Sequence, residues 1–134
     1  MFSYNTSEDE AFELRDCFNN RENSIDCIKA NVTSHPDIKS LVSYTLNKFE
    51  NIDVLINNAG ISQYKVFQDI TDNDWNNMLN TNLTSAFYTI QEVLPNMIKN
   101  KCGCIINISS VLGMVGASCE VHYSVAKAGM DALT

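Results

Sequence analysis

The chain has 134 residues, 45% of them hydrophobic, which suits one globular domain with an apolar core. Its formal net charge of −7 opposes binding to the phosphates of nucleic acid, and no apolar run approaches the ~20 residues that cross a bilayer. We therefore expect neither a nucleic-acid partner nor a membrane segment, and the polar, acidic first residues do not resemble a secretory signal.

Helix and strand patterns alternate along the first half of the chain. Apolar residues at helical spacing predict helices over 7–20 and 37–49, and a short, partly apolar run between them predicts a strand over 25–30. The run at 52–56 is apolar except for one aspartate, and it ends in the turn residues Asn-Asn-Ala-Gly of 57–60. We therefore predict a strand there that is buried on both faces.

A long helical pattern opens the second half. Thr71 and Asp74 have the spacing of an N-terminal capping box, and an apolar stripe follows from Trp75 to Ile98. Pro95 lies within the stripe, and we expect it to bend or end the helix because proline has no amide hydrogen.

Three further elements follow the long helix. A second buried strand is predicted over 104–108, closed by Ser109 and Ser110, and the glycine-containing segment 113–118 predicts a loop. A last helix is predicted to begin near Tyr123 and to continue to the end of the chain.

The alternation of strands and helices implies an α/β fold, a doubly wound parallel sheet with helices on both faces. Ligands bind to such sheets at the carboxyl ends of the strands. The turn at 57–60 and the serines at 109–110 both lie at such ends, so this edge of the sheet is the expected site.

Tyr123 and Lys127 are the strongest candidates for chemistry. They are four residues apart on a predicted helix, so they share one face and lie ~6 Å apart along its axis. A free tyrosine has a pKa near ~10, and a neighbouring ammonium favours the phenolate form. The pair can therefore act as a tuned acid–base, although the spacing alone also fits an exposed helical pair.

Two other polar positions are unusual. Ser110 precedes Tyr123 by thirteen residues, and a hydroxyl there can hydrogen-bond a substrate carbonyl or simply end a strand. Asn82 falls on the apolar stripe between Leu79 and Ala86, where a buried amide needs partners, although a packing or surface asparagine is the alternative. The Asn-Asn-Ala-Gly turn taken alone also fits plain turn chemistry.

The cysteines indicate a reducing compartment. Their number is odd and no secretory signal precedes them, so we expect free thiols in the cytoplasm. Cys102 and Cys104 allow a metal site, but His35 and His122 do not stand at a ligand-like spacing, so we expect no metal and favour core or strand cysteines.

Taken in order, these motifs resemble the short-chain dehydrogenase/reductase family over essentially the whole chain. The resemblance rests on Asn-Asn-Ala-Gly at 57–60, Asn-Leu at 82–83, Ile-Ile-Asn-Ile-Ser-Ser at 105–110 and Tyr-Ser-Val-Ala-Lys at 123–127. The chain is most similar to the 3-oxoacyl-[acyl-carrier-protein] reductase branch. The stretch 116–123, Gly-Ala-Ser-Cys-Glu-Val-His-Tyr, resembles more narrowly the elongation factor P 5-aminopentanone reductases.

The resemblance implies reduction of a ketone to a secondary alcohol by a nicotinamide cofactor. Tyr123 would protonate the carbonyl oxygen, Ser110 would position it, and both would contact the substrate. Lys127 would favour the phenolate and hold the nicotinamide ribose. Asn82 would anchor a water chain that supplies protons to Lys127.

The resemblance also implies cofactor contacts. Asn31 and Val32 would contact the adenine, with Asn31 standing where many members have aspartate, and Asn58, Ala59 and Gly60 would pack beside the adenosine ribose.

The form of the cofactor is predicted from the segment 3–7. Hydroxyls, including that of Thr6, are present there and no carboxylate precedes Glu8. Because a carboxylate at this place rejects a 2′-phosphate, we expect NADP(H) rather than NAD(H).

Parts of the family pattern are not found in the sequence. It has no glycine-rich turn of the kind that binds a pyrophosphate, and the residues at 2–5 resemble the family's second strand. We therefore expect residues 1–134 to be a partial NAD(P)-binding Rossmann-type domain, lacking the first strand and the C-terminal strands. Removal of a central strand exposes two sheet edges, so we expect weak cofactor binding by this chain alone.

Two classes of function remain open at this point. The first is a cytoplasmic reductase of fatty acid biosynthesis, a homodimer or homotetramer when full length, with its ketone carried on acyl carrier protein or on elongation factor P. The second is a non-catalytic remnant that serves only as a binding or dimerising module. The retained Ser110, Tyr123 and Lys127 favour the first.

Overall fold

The computed structural model describes residues 1–19 and 24–134 of the chain. In these residues four short strands alternate with helices, as predicted. Asn20, the last residue of the first predicted helix, lies outside the described residues. The strands are β1 (Phe2–Tyr4), β2 (Cys27–Lys29), β3 (Val54–Asn57) and β4 (Cys104–Asn107). The helices are α1 (Glu8–Phe18), α2 (His35–Phe49), α3 (Asp72–Leu79), α4 (Ser85–Asn100), α5 (Val111–Val115) and α6 (Val121–Leu133), with a 3-10 turn at Phe67–Asp69 and a π-helical segment at Asn80–Thr84.

The strands form two separate parallel pairs. β1 pairs with β2, with Phe2 opposite Cys27, and β3 pairs with β4, with Val54 opposite Cys104. Parallel strands joined by helical crossovers are the pattern of a doubly wound sheet. The predicted α/β fold is therefore confirmed, in the form of a partial Rossmann-like sheet.

A slot lies between the two pairs. Within the described residues no ladder joins β1 to β3, and residues of both strands line one cavity of about 700 Å³. Its other walls come largely from apolar side chains of α2, α4 and α6, among them Ile38, Val93 and Met130. Among residues 1–19 and 24–134, both strand edges that border the slot have main-chain groups without a ladder partner, as expected for a sheet that lacks a central strand.

The core lies on one face of the β3–β4 pair. Helices α2 and α4 pack there, and the buried cluster consists of Ile38, Val42, Ile52, Val93 and Met97, with Leu55 and Ile105 packed against it.

The prediction that both strands are buried on two faces is wrong. Side chains alternate along a strand, and the outward-facing Val54, Ile56 and Ile106 are 52%, 58% and 41% exposed.

The long helix of the second half is continuous but changes its winding. The predicted capping box is confirmed, since the Thr71 hydroxyl accepts from the Asp74 amide and the Asp74 carboxylate accepts from the Thr71 amide. After α3 the chain forms the π-helical segment and then α4, which passes through Pro95 and ends at Asn100. Pro95 therefore does not end the helix; its ring removes one helical hydrogen bond, and the neighbouring turns continue.

The segment after β4 differs from its prediction. Residues 111–115 form the short helix α5, so the predicted loop over 113–118 is wrong for its first three residues. The Ser110 side chain caps this helix by accepting from the Leu112 amide at 3.2 Å, and the chain leaves it through Gly116, whose φ is +72°. Helix α6 begins at Val121, two residues before Tyr123.

All five cysteines are free thiols. Cys102 and Cys104 are exposed, and Cys104 opens β4, so they are not core residues. Among residues 1–19 and 24–134, no group of three or more His, Cys, Asp or Glu side chains could hold a metal ion. None of the described helices is long and apolar enough to cross a membrane.

An ion pair joins Asp26, the residue before β2, to the partly exposed Lys48 of α2. The Asp26 carboxylate accepts from the Lys48 ammonium and from the Tyr44 hydroxyl at 2.7 Å, and Asp26 is only 9% exposed. The Lys48 contact, followed by the Tyr44 hydrogen bond, lowers the pKa of Asp26 to about 2. A lowered carboxyl pKa stabilises the fold above the ordinary value near ~4 and loses that contribution as the pH falls to about 2.

We expect Asp26→Asn to lower the free energy of unfolding by about 2 kcal/mol at pH 7. The loss should shrink as the pH falls from about 4 towards 2, because the wild-type carboxylate is then protonated. Urea unfolding at several pH values measures this, with the exposed Asp69→Asn as the matched control. An equal loss at pH 7 and pH 2 would show that the charge of Asp26 is irrelevant.

Candidate active site

Helix α6 brings Tyr123 and Lys127 together at the carboxyl end of β4. The Lys127 Nζ atom lies 5.8 Å from the centre of the Tyr123 ring and donates a 2.7 Å hydrogen bond to the carbonyl oxygen of Ile108. Tyr123 is half-buried, whereas Lys127 is only 4% exposed. Burial lowers the pKa of the Lys127 ammonium, and the negative charge of Asp131 opposes this shift.

Asn82 is a fully buried amide with its hydrogen bonds satisfied. Its Oδ1 accepts from the Ile61 amide at 2.9 Å, and its Nδ2 donates to the carbonyls of Ile61 at 2.9 Å and Met78 at 3.2 Å. It lies within the π-helical segment, a form that often marks functional sites. Asn82 thereby ties the helix to the segment that follows β3.

Asn82 and Lys127 both lie close to Gly60. A Cβ atom placed on Gly60 would lie 2.5 Å from Asn82 Oδ1 and 3.8 Å from Lys127 Nζ. The turn after β3, the π-helical segment and α6 therefore meet at one point, and glycine is needed there because a side chain would displace the Asn82 amide.

We expect Gly60→Ala to destabilise the protein by about 1–3 kcal/mol, the usual cost of overpacking. Thermal unfolding checks this. The double variant Gly60→Ala with Asn82→Ala is the sharper control, because removal of the amide removes the clash. An equal cost of Gly60→Ala in both backgrounds would mean that Asn82 is not the obstacle.

Ser110 and its neighbours place α5 against α6. The half-buried Ser110 hydroxyl oxygen accepts from the Leu112 amide, so its own hydrogen remains available for another acceptor. Ser109 donates to the Lys127 carbonyl at 3.1 Å, and a Cβ on Gly113 would lie 2.8 Å from the carbonyl carbon of Lys127. The two helices are therefore in close contact beside the buried lysine.

The other predicted cofactor residues lie at the carboxyl ends of their strands. Val32, Asn58 and Ala59 line the slot, after β2 and β3. Asn31 is exposed, and its side-chain oxygen accepts from the Thr33 amide at 3.0 Å, while Thr6 is exposed after β1. Within the part of the chain that the structure describes, no hydrogen bond joins Thr6 or Asn31 to the group around Gly60.

The residues present fit part of a nicotinamide dinucleotide. Exposed Asn58 and Ala59 beside the slot suit a ribose, and half-buried Tyr123 next to Lys127 suits the nicotinamide end. The glycine-rich turn that binds a pyrophosphate does not occur in this sequence. The fit is therefore partial: residues suited to a ribose and to the nicotinamide end are present, and the pyrophosphate-binding turn is not among them.

Sequence reasoning missed a polar group next to the candidate acid. His122, directly before Tyr123, is fully buried and lies 2.9 Å from the Gln63 side-chain oxygen. Gln63 in turn contacts Asp74, which binds Lys65. In the sequence, the histidine directly precedes the candidate acid in the first turn of α6, but its partner is 59 residues away.

Known proteins of one family are similar in sequence to this chain. Residues 1–134 match the family described as short chain dehydrogenase. The 3-oxoacyl-[acyl-carrier-protein] reductase FabG of Chlamydia pneumoniae is 37% identical over 106 residues, which cover 79% of this chain and 43% of that protein. The proteins of the same name from Staphylococcus aureus (strain Mu50) and Buchnera aphidicola are 36% and 42% identical, covering 80% and 77% of this chain and 44% and 42% of theirs.

The chain therefore spans less than half the length of the curated relatives it matches. The match to the family covers every described element and the whole converging site. The resemblance inferred from the motifs is confirmed: the chain belongs to the short-chain dehydrogenase/reductase family.

Proposed function

We propose that this chain supplies the catalytic groups of an NADP-dependent reductase that converts a ketone to a secondary alcohol. The observation that carries the proposal is the half-buried Tyr123 beside the buried Lys127, at the carboxyl end of β4. Relatives 36–42% identical are named 3-oxoacyl-[acyl-carrier-protein] reductases, which supports a ketone as the substrate.

The reaction needs a hydride, which NADPH supplies when bound. Tyr123 donates a proton to the carbonyl oxygen, and Ser110 donates a hydrogen bond to the same oxygen through the hydrogen that its capping bond leaves free. Lys127, fixed by the Ile108 carbonyl, stabilises the phenolate that remains and would hold the nicotinamide ribose. Asn82 shapes the turn at Gly60 and would anchor a water chain that resupplies, by way of Lys127, the proton that Tyr123 has lost.

The position of several polar residues after the strands supports the proposed cofactor contacts. Asn31 and Val32 would contact the adenine, and Asn58 with Ala59 would pack beside the adenosine ribose. The Thr6 hydroxyl lies after β1, where the absence of a preceding carboxylate favours the 2′-phosphate of NADP(H) over NAD(H).

The slot between the two strand pairs bears on whether the isolated chain can bind cofactor and be active. A doubly wound sheet binds its cofactor across adjacent strand ends, and here β1 and β3 belong to separate pairs. We propose that turnover requires a longer protein, called here the full-length protein, in which further residues fill the slot. The isolated chain should be inactive.

The substrate is proposed to be a 3-oxoacyl group on acyl carrier protein, in the cytoplasm. The alternative ketone, attached to elongation factor P, rests on the stretch 116–123 alone. Helices α4 and α6 leave an apolar groove that includes Phe87 and Leu133, and we propose that a homodimer or homotetramer of the full-length protein forms there.

A comparison of substrates tests the proposal. The full-length protein is assayed with NADPH or NADH on a 3-oxoacyl thioester and on ketone-modified elongation factor P. We expect reduction of the thioester ketone, with at least tenfold higher kcat/KM for NADPH than for NADH. Tight self-association without reduction of either ketone would instead support a non-catalytic dimerising remnant.

A further inference from the structure

The polar ring of His122 is buried next to the candidate acid Tyr123. It occupies the first turn of α6, directly before Tyr123, and is 0% exposed. Its Nε2 lies 2.9 Å from Oε1 of Gln63, a half-buried residue in the segment that follows β3. This contact gives Nε2 a hydrogen-bond partner, whereas the buried Nδ1 has none among residues 1–19 and 24–134.

The direction of the bond follows from its neighbour. The Gln63 Nε2 atom donates to Oδ1 of Asp74 at 3.0 Å. An amide turned the other way would set its oxygen against that carboxylate, so the Gln63 oxygen must face His122. The hydrogen therefore lies on Nε2 of His122, which donates to Gln63.

Asp74 is a persistent acceptor for Gln63. Lys65 Nζ donates to its Oδ2 at 2.6 Å, and the Thr71 amide donates to the same oxygen at 2.9 Å. The Lys65 ammonium, followed by the hydrogen bonds of Thr71 and Gln63, holds the pKa of Asp74 well below its usual range. The two hydrogen bonds therefore run in the same direction: His122 donates to Gln63, and Gln63 donates to the Asp74 carboxylate.

The segment 61–65 is attached to its surroundings at other points as well. The amide and carbonyl of Ile61 are both bonded to Asn82, and the Lys65 amide donates to the Cys119 carbonyl at 2.7 Å. The segment is therefore a fixed support, and the Gln63–His122 bond joins this support to the first turn of α6.

We propose that Gln63 and His122 are positioning residues for Tyr123. Their hydrogen bond holds the first turn of α6 against the segment 61–65 and so fixes the place of the tyrosine hydroxyl. The inference rests on the proposed role of Tyr123 as the acid. A misplacement of about 1 Å at a reacting group can reduce a rate about 10²-fold, so a bond one residue away is enough to matter.

The test uses two variants of the full-length protein, with NADPH and an acetoacetyl thioester as probes. His122→Phe keeps a ring of similar bulk and removes the donor, and Gln63→Leu removes the acceptor. We expect each to lower kcat at least tenfold and to leave KM for NADPH within twofold. The double variant should be no slower than the slower single variant, because both changes remove the same bond.

Two controls separate positioning from general stability. His122→Gln returns an amide N–H near Gln63 and should restore kcat to within threefold of wild type. Ser124→Ala lies in the same helix turn, at a buried hydroxyl that has no hydrogen-bond partner among residues 1–19 and 24–134, and should leave kcat unchanged. If His122→Phe fails to fold, Gln63→Leu at its half-buried position decides the question.

The outcomes distinguish this inference from the proposed function. If Tyr123→Phe abolishes turnover while Gln63→Leu and His122→Phe keep kcat within twofold, the positioning inference is wrong and the acid assignment stands. If Tyr123→Phe also keeps its turnover, the acid assignment is wrong and the positioning inference is overturned with it.

Discussion

Tyr123→Phe is expected to reduce ketone turnover by the full-length protein by about 10²–10⁴-fold, the usual contribution of a positioned acid. The change removes one oxygen and keeps the ring that lies 5.8 Å from Lys127 Nζ, so NADPH binding should change by less than threefold. Steady-state rates together with a fluorescence titration of NADPH measure both quantities.

The matched control is Tyr88→Phe, the same chemical change on α4, where the ring stacks on His35 at 4.4 Å. It should retain full turnover. The acid assignment would be wrong if Tyr123→Phe stayed within tenfold of wild type.

The second large effect, on cofactor binding, is expected from the absence of the residues that we propose to fill the slot. The 134-residue chain alone is expected to bind NADPH at least 100-fold more weakly than the full-length protein, because its strand ends belong to two pairs that share no ladder. A fluorescence titration of both proteins checks this, with micromolar affinity expected for the longer one.

Two further measurements make the comparison specific. Circular dichroism of the isolated chain shows whether it is folded, and Tyr123→Phe in that chain should not alter the weak binding. Micromolar binding of NADPH by the isolated chain would contradict the proposed role of the slot.

The sequence was sufficient for the features that depend on local pattern. The capping box at Thr71, the alternation of strands and helices and the shared face of Tyr123 and Lys127 all follow from residue spacing, and all are present. Asn82 stood out because a polar residue interrupts an apolar stripe, and its satisfied buried amide explains that interruption.

Features that depend on distant partners were not predictable. The π-helical winding at Asn80–Thr84 leaves no signature in five residues of sequence. Helix α5 contains Gly113 and has little intrinsic helix preference, but the Ser110 cap and close contact with α6 hold it. The exposure of Val54 and Ile56 depends on which helices cover a strand, which its own residues do not encode.

The position of the candidate acid also depends on a non-local contact. Sequence reasoning assigns His122 no hydrogen-bond partner, whereas the structure shows its ring buried against Gln63. A contact across 59 residues cannot be read from periodicity. The sequence likewise does not show why residue 60 must be glycine. The reason is evident only in the structure, where a side chain at this position would clash with Asn82.

The most direct test of the central claim is the product balance of the full-length protein with NADPH and a 3-oxoacyl thioester. We predict one secondary alcohol formed for each NADPH oxidised, and loss of both when Tyr123 is replaced by phenylalanine. Tight binding of NADPH with no alcohol formed from any ketone offered would contradict the account.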